Sequence, residues 1–311
     1  MTQRVLTTAA FAATSIVVAA LIASTFAGAG PQHALSQSTL AVVRDGSWQD
    51  ESGAGLALPI GANGADATKT SWSPDGSEIA FACNVNSLAA DDAGLGLCSA
   101  TQDETTLWTI AAAPVRFPVW STDGDQLAYA ALGHEGHGSL WVTRRNEPGV
   151  AETLCEEWCP LFRYYSLAWS PDASTLAAVA ETPGTGGHPA RIILFDVATH
   201  NFEFLNQELP GLQHGPTWSP DGEQLAFSSN AEGDFDIWSV DLATREPHRL
   251  TEEDGGAVNP AWSPDGSEIV FLSRAHGGGT TVRSVGSQGG QSVEVIEAGE
   301  LRTPRFVGAS N

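Results

Sequence analysis

The sequence predicts an all-β fold, a six-bladed β-propeller preceded by a hydrophobic N-terminal helix. One pentapeptide is written five times, at Trp72-Ser-Pro-Asp-Gly76, Trp120-Ser-Thr-Asp-Gly124, Trp169-Ser-Pro-Asp-Ala173, Trp218-Ser-Pro-Asp-Gly222 and Trp262-Ser-Pro-Asp-Gly266. The copies are spaced 48, 49, 49 and 44 residues apart, a period that marks a repeat architecture. Each is followed by short apolar runs of strand length, as in Leu225-Ala-Phe227 and Ile237-Trp-Ser-Val240. Four such runs per unit match a propeller blade, and no helical period competes with them.

The first thirty residues form a leader. Arg4 precedes an uncharged stretch from Val5 to Gly30, and Ala27-Gly28-Ala29 offers a small-residue cleavage site. Residues 5–29 are also long enough to span a bilayer. A cleaved signal peptide and a retained membrane tether both remain open, and both place the rest of the chain outside the cytoplasm. Residues 31–38 are a polar linker, and residues 39–308 form the propeller.

Thr39–Val43 and Gly55–Ile60 line up with the third and fourth strands of an incomplete blade. Its first strand is expected at Leu301–Val307, where Phe306 takes the place of the Trp. Both ends of the chain would then share one blade and close the ring. A five-bladed ring with loose terminal strands is the alternative.

Within each turn, Pro suits the position after Ser because its ring fixes φ. The acid caps local N–H groups, and Gly accepts the left-handed conformation. Asp75, Asp123, Asp172, Asp221 and Asp265 are therefore read as turn caps, since five equivalent places are architecture. Thr122 and Ala173 depart from the pattern, so their two hairpins are expected to be less well formed. Trp72, Trp120, Trp169, Trp218 and Trp262 are packing residues, as are Trp108, Trp141 and Trp238 on the third strands. Trp48 and Trp158 fall outside this pattern, and Trp158 is a candidate contact.

The repeat carries a resemblance. Asn259-Pro-Ala-Trp-Ser-Pro-Asp-Gly266 followed by Glu268-Ile-Val-Phe271, and still more the unit around Trp218, resemble the WD40-like (PD40) repeat of TolB-type propellers. The resemblance covers residues 67–308 and implies an exported propeller that binds another protein in the cell envelope. It does not reach the family's N-terminal α/β domain, for which residues 31–66 are too few. No Tol–Pal role or partner-contact residue is carried over. Similar propellers gate serine peptidases of the prolyl oligopeptidase type. That reading is expected to fail on length, since no residues remain for a hydrolase domain after Asn311.

With 14 basic and 37 acidic residues, the chain has a formal charge of −23, and Lys69 is its only lysine. Such a surface repels phosphate backbones, so nucleic acid is not an expected partner. Solubility is the plainer reading of this charge, and a basic or cationic partner is the sharper one. Four cysteines suit an oxidising compartment, with Cys83–Cys98 and Cys155–Cys159 the preferred disulfides and a zinc site the alternative.

The hairpin turns lie on one face of the disc and the long variable loops on the other. Loops on a rigid scaffold are where binding is usually built. The loop face gathers His134, Glu135, His137, Trp158, His188, His214 and His276. Imidazoles beside a carboxylate could serve a sugar-binding or metal-dependent lyase site, although glycine-rich loops tolerate histidine without any role. No catalytic motif is present, so no catalytic residue, metal or cofactor is expected. The leading expectation is a non-catalytic protein-binding scaffold.

Overall fold

The computed structural model describes residues 39–44, 47–50, 70–83, 96–101, 105–110, 114–132, 138–147, 149–154, 162–182, 190–205, 208–274, 280–299 and 301–307. The expected leader and linker lie outside these residues. Among the described residues no helix is long and apolar enough to cross a membrane.

Two short strands come first, β1 (Thr39–Arg44) and β2 (Ser47–Asp50). The first complete sheet follows as β3 (Thr70–Trp72), β4 (Ile79–Cys83), β5 (Gly96–Ala100) and β6 (Thr105–Ile110). The second has β7 (Val115–Trp120), β8 (Gln126–Leu132), β9 (Gly138–Arg144) and β10 (Ala151–Thr153). The third has β11 (Arg163–Trp169), β12 (Thr175–Glu181), β13 (Arg191–Asp196) and β14 (Phe202–Phe204). The fourth has β15 (Gln213–Trp218), β16 (Gln224–Ser229), β17 (Asp236–Asp241) and β18 (Pro247–Arg249). The fifth has β19 (Ala257–Trp262), β20 (Glu268–Arg274), β21 (Thr280–Gly286) and β22 (Val293–Gly299), and β23 (Leu301–Val307) is the last described strand. All five are four-stranded antiparallel meanders, and a sixth, three-stranded sheet runs β2-β1-β23.

The hairpin signature folds the same way every time. In the first copy the Gly76 N–H donates to the Ser73 carbonyl at 2.9 Å, and the Ser73 N–H donates to Glu78 O at 2.7 Å. Ser73 Oγ donates to Asp75 Oδ1 and accepts from the Glu78 N–H. Asp75 Oδ1 also accepts the Ser77 N–H at 3.0 Å. The equivalent N–H bonds to Asp123, Asp172, Asp221 and Asp265 span 3.0–3.1 Å. Ser and Asp thus satisfy the donors that a tight turn would otherwise leave open.

The turns with Thr122 and Ala173 are as regular as the rest, contrary to the sequence expectation. Gly124 and Ala173 each donate to the turn serine carbonyl at 3.0 Å. Ala173 does adopt φ 55°, but the Ser170 and Asp172 bonds hold it there.

Consecutive sheets pack through their first strands: β7 on β3 and β4, β15 on β11 to β13, β19 on β15 to β17, and β23 on β19 to β21. The signature tryptophans bridge these junctions. The indole N–H of Trp169 donates to Val119 O, that of Trp218 to Ala168 O and that of Trp262 to Thr217 O, at 3.1–3.3 Å. Turns also stack in sequence. A methyl added to Gly124, Gly222 or Gly266 would lie 3.5–3.6 Å from Pro74, Pro171 or Pro220 of the preceding turn. Trp72, Trp108, Trp120, Trp169, Trp238 and Trp262 are buried, and Trp141 and Trp218 are half-buried.

Two placements differ from the sequence reading. Trp108 lies on a fourth strand, because Gly96–Ala100 forms the third strand of the first sheet. That run is short and small-chained, and the Cys83–Cys98 disulfide ties it to β4. In the composite sheet, β1 pairs directly with β23, Ala41 opposite Arg305. It therefore stands second rather than third. Its outer neighbour is Ser47–Asp50, and Gly55–Ile60 lies outside the described residues.

Candidate functional site

A groove of about 600 Å³ opens on the turn face between the third and fourth sheets. Its floor is apolar, formed by Leu194, Trp218 and Leu242, while the Phe202 ring at its edge packs with Phe195 and Phe204 on the other face of the third sheet. Its rim is acidic: Asp172, Asp196, Glu203 and Asp221 stand against one cation, Arg245. Arg245 pairs with Glu203 across the outer end.

Each wall is set by a local motif. Asp172 and Asp221 belong to two consecutive signature turns. The bonds that the fourth turn makes to Asp221, from Ser219 Oγ and the Glu223 N–H, fall on Oδ1. The hydrogen bond from Ser170, opposed by burial and aided by bonds from Ser174, holds the Asp172 carboxyl below its ordinary value. The outer wall comes from a second rhyme, Asp196-Val-Ala-Thr199 and Asp241-Leu-Ala-Thr244. Each leading carboxylate accepts two backbone N–H bonds from the residues after it. The turns then close through left-handed His200 and Arg245, at φ 59° and 64°. Sequence reasoning missed this groove, although the repeated Asp-x-Ala-Thr was its visible signal.

Among the loop-face candidates, only His214 lies within the described residues. His134, Glu135, His137, Trp158, His188 and His276 lie outside them, as do Cys155 and Cys159. The His214 ring packs 5.6 Å from that of Phe235. Burial lowers its pKa, opposed by the charge of Glu181. Glu181 itself accepts the Tyr165 hydroxyl proton, and burial together with that carboxylate pushes Tyr165 up to about 12. Among the described residues no three His, Cys, Asp or Glu side chains converge to hold a metal.

Residues 163–307 match the family described as the TolB beta propeller domain, PD40. The repeat is TolB-like. The same fold appears in a solved Agrobacterium tumefaciens structure described as TolB, at 18% identity and TM-score 0.60, covering 88% of this chain and 91% of that one. TolB from Acinetobacter baumannii is similar at 17% identity and TM-score 0.57, covering 83% and 68%. A puromycin-hydrolysing peptidase from Mycobacterium tuberculosis shares the fold at 16% identity and TM-score 0.57, over 83% of this chain and 45% of that one. In sequence, the Tol-Pal system protein TolB of Gluconobacter oxydans is 35% identical over 65 residues, 21% of this chain and 14% of that protein. The Bacillus subtilis peptidase YuxL is 27% identical over 184 residues, 59% of this chain and 25% of that protein. The matched segments thus span a quarter or less of these two relatives.

Proposed function

We propose that this chain is an exported, non-catalytic, six-bladed propeller that binds another protein in the cell envelope. In this reading residues 1–30 direct export or tether the chain, residues 31–38 link, and residues 39–308 form a ring closed by β23, β1 and β2. The observation that carries the proposal is the open groove between two rigid sheets, with its apolar floor and acidic rim. Binding surfaces join buried apolar contact to a polar rim in this way. The TolB-like repeat and the formal charge of −23 support it. Pull-down from envelope extract tests it. A discrete, salt-sensitive protein partner is expected, and an extract yielding none contradicts the reading.

The likeness to two peptidases favours a second reading, in which the propeller accompanies a hydrolase or carries a small-molecule site on its histidine-bearing loop face. Activity assays on peptide and sugar substrates separate the two. Turnover abolished by His134 and His214 substitutions would favour the second.

A further inference from the structure

The molecule already contains one filled version of the groove. Arg145 follows β9 as Leu242 follows β17, and the two backbones are held alike: the Arg145 N–H donates to Asp125 O and the Leu242 N–H to Glu223 O, at 2.8 and 3.0 Å. Between the first and second sheets, the Arg145 guanidinium lies 4.8 Å from the Trp120 ring centroid and 5.5 Å from that of Trp108. Its Nε donates to Gly124 O at 3.1 Å and its Nη2 to Glu78 Oε2 at 2.9 Å. Between the third and fourth sheets the corresponding signature indole is Trp218, and the preceding sheet contributes Leu194 rather than a second ring. The side chain that would reach over them is Leu242, and the space stands open.

We propose that this groove receives an arginine side chain from a basic segment of the partner protein. The inference rests on the protein-binding reading above and names the chemistry of that contact. The guanidinium stacks on Trp218 as Arg145 stacks on Trp120, its stem covers Leu242 and Leu194, and its N–H groups face Asp172, Asp221 and Glu203. Cation–π contact and planar hydrogen bonding favour arginine over lysine at such a place. Four carboxylates against one guanidinium supply the complementary charge.

The test is a titration of the full chain with N-acetyl-arginine-methylamide, read by the NMR shift of the Trp218 indole N–H. The uncharged citrulline analogue and the lysine analogue serve as controls. A saturable shift, at least about tenfold weaker with citrulline, is expected. Leu242→Arg supplies the guanidinium from within, as Arg145 does, and should abolish the shift. If that variant does not fold, Glu203→Gln on the exposed rim should weaken binding several-fold. No saturable response, or a response in the folded variant equal to that of wild type, overturns the proposal. A protein partner retained equally by wild type and a folded Leu242→Arg variant also overturns it, while leaving the protein-binding reading intact.

Discussion

Thr122 Oγ1 donates to the Pro171 carbonyl oxygen at 2.6 Å, joining the turns of two neighbouring sheets. Proline at this position, as in the Pro74, Pro171, Pro220 and Pro264 turns, has no hydroxyl to offer. The departure from the repeat thus exchanges a preset φ for a bond between sheets. Thr122→Val keeps the shape and removes the donor, so it should destabilise by about 1 kcal/mol. Thr122→Pro regains the fixed φ and should come closer to neutral. Urea unfolding of the two variants separates these effects.

Ala173 is held at φ 55°, where an L-residue costs about 1–2 kcal/mol. Ala173→Gly relieves that cost but adds unfolded-state entropy worth about 0.4–1 kcal/mol. A net gain of about 0.5 kcal/mol is expected from the same unfolding measurement. A loss would mean that the methyl contributes packing that outweighs its backbone strain.

Arg145 serves Glu78, whose side chain is only 8% exposed. Glu78 also accepts the Ser99 hydroxyl, and Ser99 Oγ accepts the Trp108 indole N–H at 2.6 Å. Removing the cation strands a buried carboxylate. Arg145→Met should cost about 2 kcal/mol, below the full value for a buried pair because Arg145 is half exposed. Adding Glu78→Gln should recover part of this loss, a coupling that a double-mutant cycle measures.

The Cys83–Cys98 bridge spans 15 residues. Closing a loop of that length restricts the unfolded chain by about 3 kcal/mol in the entropic picture. The paired Cys83→Ala and Cys98→Ala variant should therefore melt several degrees lower, as scanning calorimetry would show. The loss should fall on the first sheet, where β5 depends on the bridge.

Acid should loosen the third and fifth turns. Hydrogen bonds from Ser263 and Ser267 pull the Asp265 carboxyl from 3.8 down to about 2, and Asp172 is lowered in the same direction. A folded-state pKa below the unfolded value means that the stabilisation is complete above about pH 4 and lost as pH falls towards 2. Unfolding curves across that window should show the decline, and Asp265→Asn should flatten part of it.

The hairpins were legible because every signature residue has a local duty. Ser, Pro, Asp and Gly act within one turn, and the Trp spacing sets the period. The composite sheet was half legible: β23 showed its Phe306 rhyme, but pairing with β1 is a long-range choice that local pattern does not encode. Strand β5 escaped because Gly96, Ser99 and Ala100 have little intrinsic strand preference. The groove was missed because its repeated Asp-x-Ala-Thr marks two turns and not the space between them. It arises where Leu242 is shorter than Arg145, and only the alignment of two sheets turns that difference into space.

The proposed ring rests on β1 and β23 meeting in one sheet. Ala41 and Arg305 are paired across β1 and β23, so the double variant Ala41→Cys, Arg305→Cys places two thiols on facing positions. Peptide mapping after mild oxidation should recover a 41–305 crosslink in most molecules, with the melting temperature held or raised. Folded protein in which these two thiols stay free would contradict a disc closed by its own termini.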